Sequence, residues 1–183
     1  MTPLKTLSEY VRQVNARNAE YGDPPQPPAS AEHLTALAAQ AQELFAYEVP
    51  VAYLELLALA DGLDFNGYKL YASSTRPVPG YDATVKGFIE ANGWWEDYDE
   101  NGNHHLLMFG ETGGQLFLFD RRDQKFKFTD KVGGDAYQVF DAFEELAEQF
   151  FKNALGIVED EQAEAYPFRH DCREYSRRAV TYC

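Results

Sequence analysis

Residues 105–129 narrow what this chain can fold into more than any other stretch. HLLMF, QLFLF and KFKFT follow one another with only GETGG and DRRDQ between them. Runs this short and apolar, joined by turn-forming loops, specify hairpins, and three in succession specify an antiparallel meander. The first two runs are apolar at every position but the leading His105 and Gln115, which predicts strands covered on both faces. In the third, Phe126 and Phe128 alternate with Lys125 and Lys127, so one side is expected to face water. YQVF, 137–140, offers an edge strand.

Helical patterns surround this sheet. Leu4, Leu7, Val11 and Val14 mark an amphipathic helix over 4–21, ended by GDPPQPPAS, whose four prolines make a stiff connector. Ser30 can N-cap a second helix carrying Leu34, Leu37, Ala41, Leu44 and Phe45. Pro50 can open a third, with Gly62 as its left-handed cap. YKLYAS reads as a strand, STRPVPGYD as a loop, and 83–95 as a short helix interrupted or ended near Gly93. Asp141 can N-cap a last helix presenting Phe143, Leu146, Phe150 and Phe151. The expected fold class is therefore α+β: a central, mainly antiparallel sheet flanked by helices, with N-terminal helices and a C-terminal tail. The expected organisation is a helix and proline-rich connector over 1–29, an α+β domain over 30–155 and a tail over 156–183.

Charge limits the partners. Asp and Glu number 30 against 16 Lys and Arg, a net −14. That excess repels phosphate backbones and anionic membranes and attracts basic proteins. With only Cys172 and Cys183 as thiols, no secretory leader pattern and no apolar run of spanning length, a cytoplasmic protein is expected. The tail is acidic at VEDEQAEA and basic at RHDCREYSRR.

Catalytic and metal motifs are weak. Asp97, Asp99, Asn101 and Gly102 spell the opening of a calcium loop, but its twelfth position is Met108, which cannot ligate calcium. An Asx-type turn explains the same residues. His104 and His105 are adjacent and point apart on a strand, and His170, Cys172 and Cys183 lack zinc-ligand spacing. FGETGGQ lacks the lysine of a P-loop, and there is no G-x-S-x-G elbow. No catalytic residue, metal or cofactor is expected.

The remaining feature is GWWEDYDENG, 93–102, in which the chain's only two tryptophans precede four carboxylates. Neighbours on a helix stand about 100° apart, so one of Trp94 and Trp95 is expected inside and the other nearer the surface. An exposed aromatic ringed by acid suits a protein interface; a half-buried Trp at the sheet's edge is the plainer alternative.

VPVAYLELLALADGLDFNGYKLYAS, FIEANGWWEDY, LLMFGETGGQLFLFD and FDAFEELAEQF together resemble the SUKH superfamily, in particular its YrhA-like branch of bacterial proteins, over roughly residues 45–155. The resemblance implies an antiparallel sheet flanked by helices and no enzymatic activity. Bacterial members are often immunity proteins that neutralise a cognate toxin, frequently a nuclease or deaminase; other relatives regulate cell-wall assembly. Positions matching Tyr53, Leu57, Gly62, Trp95 and Gly110 look structural. With the charge, the resemblance implies an acidic surface that occludes a toxin's basic groove. The interface residues expected are Trp95, Asp97, Tyr98, Asp99 and Glu100, with Asp64 and Glu111 nearby. A SUKH-type scaffold or regulator without a toxin partner is the alternative, and monomer and homodimer both stay open.

Overall fold

The computed structural model describes residues 3–78, 83–98 and 105–157, and of 3–5 and 94–98 only the backbone. The expected tail beyond Ile157, and the expected Asx turn from residue 99 onward, lie outside these residues. Helix α1, Pro3–Glu20, buries Leu7, Val11 and Val14 against α3 and α5, with Tyr10 stacked on Phe151. The helix thus belongs to the same core as the rest, and the connector is no seam between cores. That connector is itself tied down: Ala29 N–H donates to Leu57 O (2.9 Å) and Asp61 N–H to Pro27 O (2.8 Å).

Helix α2, Ala31–Phe45, starts where Ser30 Oγ accepts from His33 N–H (3.2 Å), as its sequence predicts. Helix α3, Val51–Leu59, follows Pro50 and ends earlier than expected: Ala60, in extended conformation, is its cap. Gly62 does adopt positive φ, +79°, but for another reason. A Cβ there would lie 2.8 Å from Val85 Cγ1 and 2.9 Å from Ala72 Cβ, so the position needs the absence of a side chain.

Strands β1, Leu63–Phe65, and β2, Tyr68–Leu70, form a hairpin whose turn residues Asn66 and Gly67 both have positive φ (52° and 78°), the type I′ pattern. Two-residue strands β3, Arg76–Pro77, in the stretch expected to be loop, and β4, Thr84–Val85, where a helix was expected to begin, pair with each other. Helix α4, Phe88–Tyr98, begins later than expected and runs straight through Gly93. Strands β5, Leu106–Glu111, β6, Gln115–Asp120, β7, Lys125–Asp130, and β8, Ala136–Phe140, complete the meander. The sheet order is β1-β2-β5-β6-β7-β8, every pair antiparallel. Helix α5, Phe143–Leu155, closes the fold. Its cap is Ala142, not Asp141, whose N–H donates to Glu145 Oε2 (3.0 Å) while its carboxylate pairs with Lys125.

The core is a cluster of rings between the sheet and the helices. Tyr53 touches Phe88, Phe109 and Phe143, with centroids 4.9–5.8 Å apart, and Phe117 meets Phe128 and Phe150. Met108 and Leu118, on the sheet's other face, are buried as well, in line with runs apolar on both sides. Lys125 and Lys127 share that second face while Phe126 and Phe128 enter the core, as the alternation predicts.

Strand β5 carries a bulge at Phe109, after which Gly110 faces Phe117. A Cβ on Gly110 would sit 2.2 Å from Lys69 O, closer than β2 and β5 can tolerate while paired. Gly110→Ala is therefore expected to destabilise the fold by about 2–3 kcal/mol in urea titration. Gly93→Ala, where a Cβ meets open space in a helix, should stabilise by about 0.5–1 kcal/mol. Equal effects of the two would contradict this placement.

Candidate protein interface

Helix α4 carries the tryptophan pair, and its placement comes from one buried side chain. Asn92 accepts from Met108 N–H (2.7 Å) and donates to Met108 O (3.0 Å) and to Phe88 O (2.8 Å). β2 pairs with β5 only at Glu111 and Gly110, with Tyr71 N–H reaching Phe109 O (2.9 Å). Met108 therefore has no strand partner on that edge among the described residues, and the Asn92 amide supplies the missing donor and acceptor. Two contacts brace the start of the helix: Phe88 N–H donates to Ala72 O (2.9 Å), and the Thr75 hydroxyl reaches Glu90 while accepting from Gly87 N–H (2.7 Å).

The backbone of Trp94, Trp95, Asp97 and Tyr98 continues this anchored helix; their side chains, with all of Asp99 and Glu100, lie outside what is described. Asp64 and Glu111 are described, and they stand apart from that site. The chain enters β5 at Leu106 after α4, whereas Glu111 closes the strand's far end, five residues or about 17 Å along. There Asp64, Lys69 and Glu111 are successive cross-strand neighbours on β1, β2 and β5. Lys69 lies 3.5 Å from Asp64, and Lys131 lies 2.7 Å from Glu111. Both carboxylates thus spend their charge on lysines of this chain, and the structure groups them with each other rather than with α4.

Two further polar clusters were not foreseen. Asp120, 2% exposed, accepts from the Arg122 side chain (2.9 and 3.1 Å), Arg122 N–H (3.0 Å) and Lys127 Nζ (2.9 Å). Lys127 also holds Asp123, at 2.5 Å. Burial pushes the Asp120 carboxyl up, but the bonds from Arg122 and Lys127 outweigh it and hold the group well below the usual carboxylate range. Asp61, 3% exposed, accepts from Ser73 N–H (2.7 Å) and Ser73 Oγ (3.0 Å), and Arg76 donates to its carbonyl (2.6 Å). Arg76 Nε, buried with no hydrogen bond, stays 3.7 Å from Asp61 Oδ2. This second cluster fastens the end of α3 to the loop before β3, and nothing about it activates Ser73.

An open hollow of about 400 Å³ lies between the α2–α3 loop and the β6–β7 turn, lined by Ala46, Tyr47, Glu48, Phe119, Arg121 and Gln124. Its guanidinium is committed to capping α2 through Phe45 O and lies 6.0 Å from the Tyr47 ring centroid. No group of three or more His, Cys, Asp or Glu among the described residues is arranged to hold a metal. The resolved carboxylate shifts, at Glu9, Asp120 and Asp130, are all downward, opposite to what a general acid needs. No helix among the described residues is long and apolar enough to cross a membrane. Set against known proteins, the chain matches no family and no curated protein.

Removing the Asn92 amide should leave two buried backbone groups of Met108 unsatisfied. Asn92→Leu is expected to cost about 2–4 kcal/mol. It should also shift the emission of the two tryptophans, which both lie on α4; an unchanged spectrum would contradict the clamp. Asp120→Asn should cost about 2 kcal/mol at pH 7. Because the folded carboxyl titrates below its unfolded value, its stabilisation is complete above the unfolded pKa and fades as pH falls toward the folded one. The gap between native and Asp120→Asn urea midpoints should therefore narrow below about pH 4.

Proposed function

We propose that this chain is a non-catalytic binding protein of SUKH type, an immunity protein that neutralises a cognate bacterial toxin acting on nucleic acid. The observation that carries the reading is the net charge of −14, combined with the four carboxylates that follow the tryptophan pair in sequence. An enzyme that grips phosphates needs a basic groove, and an acidic protein is steered into such a groove and blocks it. Asn92 supports the reading physically. Two hydrogen bonds from Asn92 to Met108 pin α4 to the sheet edge, so the helix that carries the tryptophan pair is held in place before any partner arrives. In this reading Trp95 and Tyr98 are anchors, and Asp97, Asp99 and Glu100 supply the charge.

The experiment is a growth test. The C-terminal domain of a secreted protein encoded beside this chain should arrest a host cell when expressed alone. Co-expression of this chain should restore growth, and the two should co-purify. Asp97→Lys, Asp99→Lys and Glu100→Lys together should slow association by roughly tenfold at low salt and weaken its salt dependence. A chain that neither rescues growth nor binds the domain sinks the reading in favour of a SUKH-type scaffold without a toxin.

A further inference from the structure

The β7–β8 hairpin gathers three features that the α4 site does not use. First, β8 ends the six-stranded sheet, and among the described residues no strand pairs with its outer side. Alternate residues of such a strand aim N–H and C=O away from the sheet, where another strand can bond to them. Edges are commonly guarded by lysine, proline or a bulge. Ala136–Phe140 contains neither lysine nor proline. It does contain a bulge: Phe128 faces Gln138 while Thr129 faces Ala136, so Tyr137 is the extra residue and Gln138–Phe140 keep regular register.

Second, large apolar side chains stand in water here. Val132 is 97% exposed, Val139 56% and Tyr137 51%. Third, the hairpin is rimmed with acid at Asp130, Asp135 and Asp141, with Glu144 and Glu145 opening the next helix. Lys125 offsets Asp141 and the Tyr137 hydroxyl donates to Asp130 (2.8 Å), but Asp135 has no ion pair among the described residues.

We propose that the open edge of β8 takes up an extended segment of the partner protein, apolar at alternate positions and basic at its ends. The identity of that partner rests on the function proposed above; the chemistry of the edge does not. Main-chain bonds to Gln138–Phe140 supply affinity, while Val139 and Tyr137 select apolar neighbours and Asp135 selects a cation. A second copy fits poorly. Two β8 strands paired antiparallel about Gln138 bring Asp135 opposite Asp141 of the other copy, and like charges directly opposite destabilise a sheet.

The test uses the full chain and a synthetic probe, the N-acetylated amide of Lys-Arg-Val-Thr-Val-Thr-Val-Arg-Lys. Amide shifts and slowed hydrogen exchange should be confined to residues 136–140. Asp135→Lys should weaken binding roughly tenfold. The same peptide N-methylated at alternate residues should not bind, which tests the main-chain bonds without altering the protein. Shifts elsewhere, no shifts, or equal binding of the methylated peptide would overturn the proposal. So would β8 amides that are already protected in the free chain and exposed by deleting 158–183, or by dilution, since the edge would then belong to the tail or to a second copy. In the growth assay, full rescue by a Val139→Lys, Asp135→Lys variant removes the edge proposal and leaves the immunity function standing. Probe binding at β8 by a chain that rescues nothing keeps the edge and removes that function.

Discussion

The fold depends on one buried tyrosine. Tyr53 is fully enclosed, ringed by Phe88, Phe109 and Phe143, and its hydroxyl donates to Tyr71 O at 2.7 Å. Those contacts come from α4, β5 and α5 and from the residue following β2, so one side chain of α3 ties four separate parts of the fold to its own helix. A phenol in such a place must find an acceptor, because an unpartnered hydroxyl would cost more than its ring gains from edge-on contacts. Burial also pushes its ionisation far above the ordinary range, so the hydroxyl keeps the proton that it donates to Tyr71 O. With Tyr71 fixed, its N–H meets Phe109 O, and β2 is held where Gly110 lets it approach β5.

The consequence is a strand with two kinds of neighbour on one edge. β5 is served by β2 at Glu111 and Gly110, by Tyr71 at Phe109, and by a side-chain amide at Met108. Asparagine suits the last place because its carboxamide copies the donor and acceptor of a peptide unit. The position of α4 is therefore set by backbone satisfaction as much as by Phe88 and Ala91, which are also buried. The second face of the sheet follows a different rule. Its lysines meet its carboxylates in pairs, so Asp64, Glu111, Asp120 and Asp123 all have cations at hand. The acidic excess of the whole chain is consequently not spread evenly over this face.

Much of the fold was legible because periodicity and burial agreed. Phe126 and Phe128 against Lys125 and Lys127, and Leu7 with Val11 and Val14, announce their faces in sequence and keep them in space. Two of the misreadings share a cause, which is that a local signal lost to a distant contact. Gly93 reads as a helix break, yet α4 passes through it because Asn92 is clamped from outside. Asp141 reads as an N-cap, but Lys125 on β7 takes its carboxylate. Arg76–Pro77 reads as loop since two residues cannot show alternation. One signal was present and passed over: Asn66-Gly67 between LDF and YKL is the strongest short hairpin mark in the chain. The site was far less legible. Adjacent acids in sequence point to α4, but nothing in sequence reveals that Asp64 and Glu111 sit together at the other end of β5, already matched to lysines.

This division of charge bears on how such a protein could bind. Carboxylates already paired within the chain add little to a long-range field, because the partner cation cancels them beyond a Debye length. Steering must come from carboxylates that the fold leaves without cations, and Asp135 is one such among the described residues. Asp135 lies beside a strand edge that no other strand pairs among the described residues, rather than in a concave site. Its charge would attract an extended basic segment toward main-chain donors and acceptors, and the exposed Val139 and Tyr137 would then hold what the charge has delivered. Charge and hydrogen bonding would act in sequence at one edge, the first setting the rate of encounter and the second the lifetime of the complex.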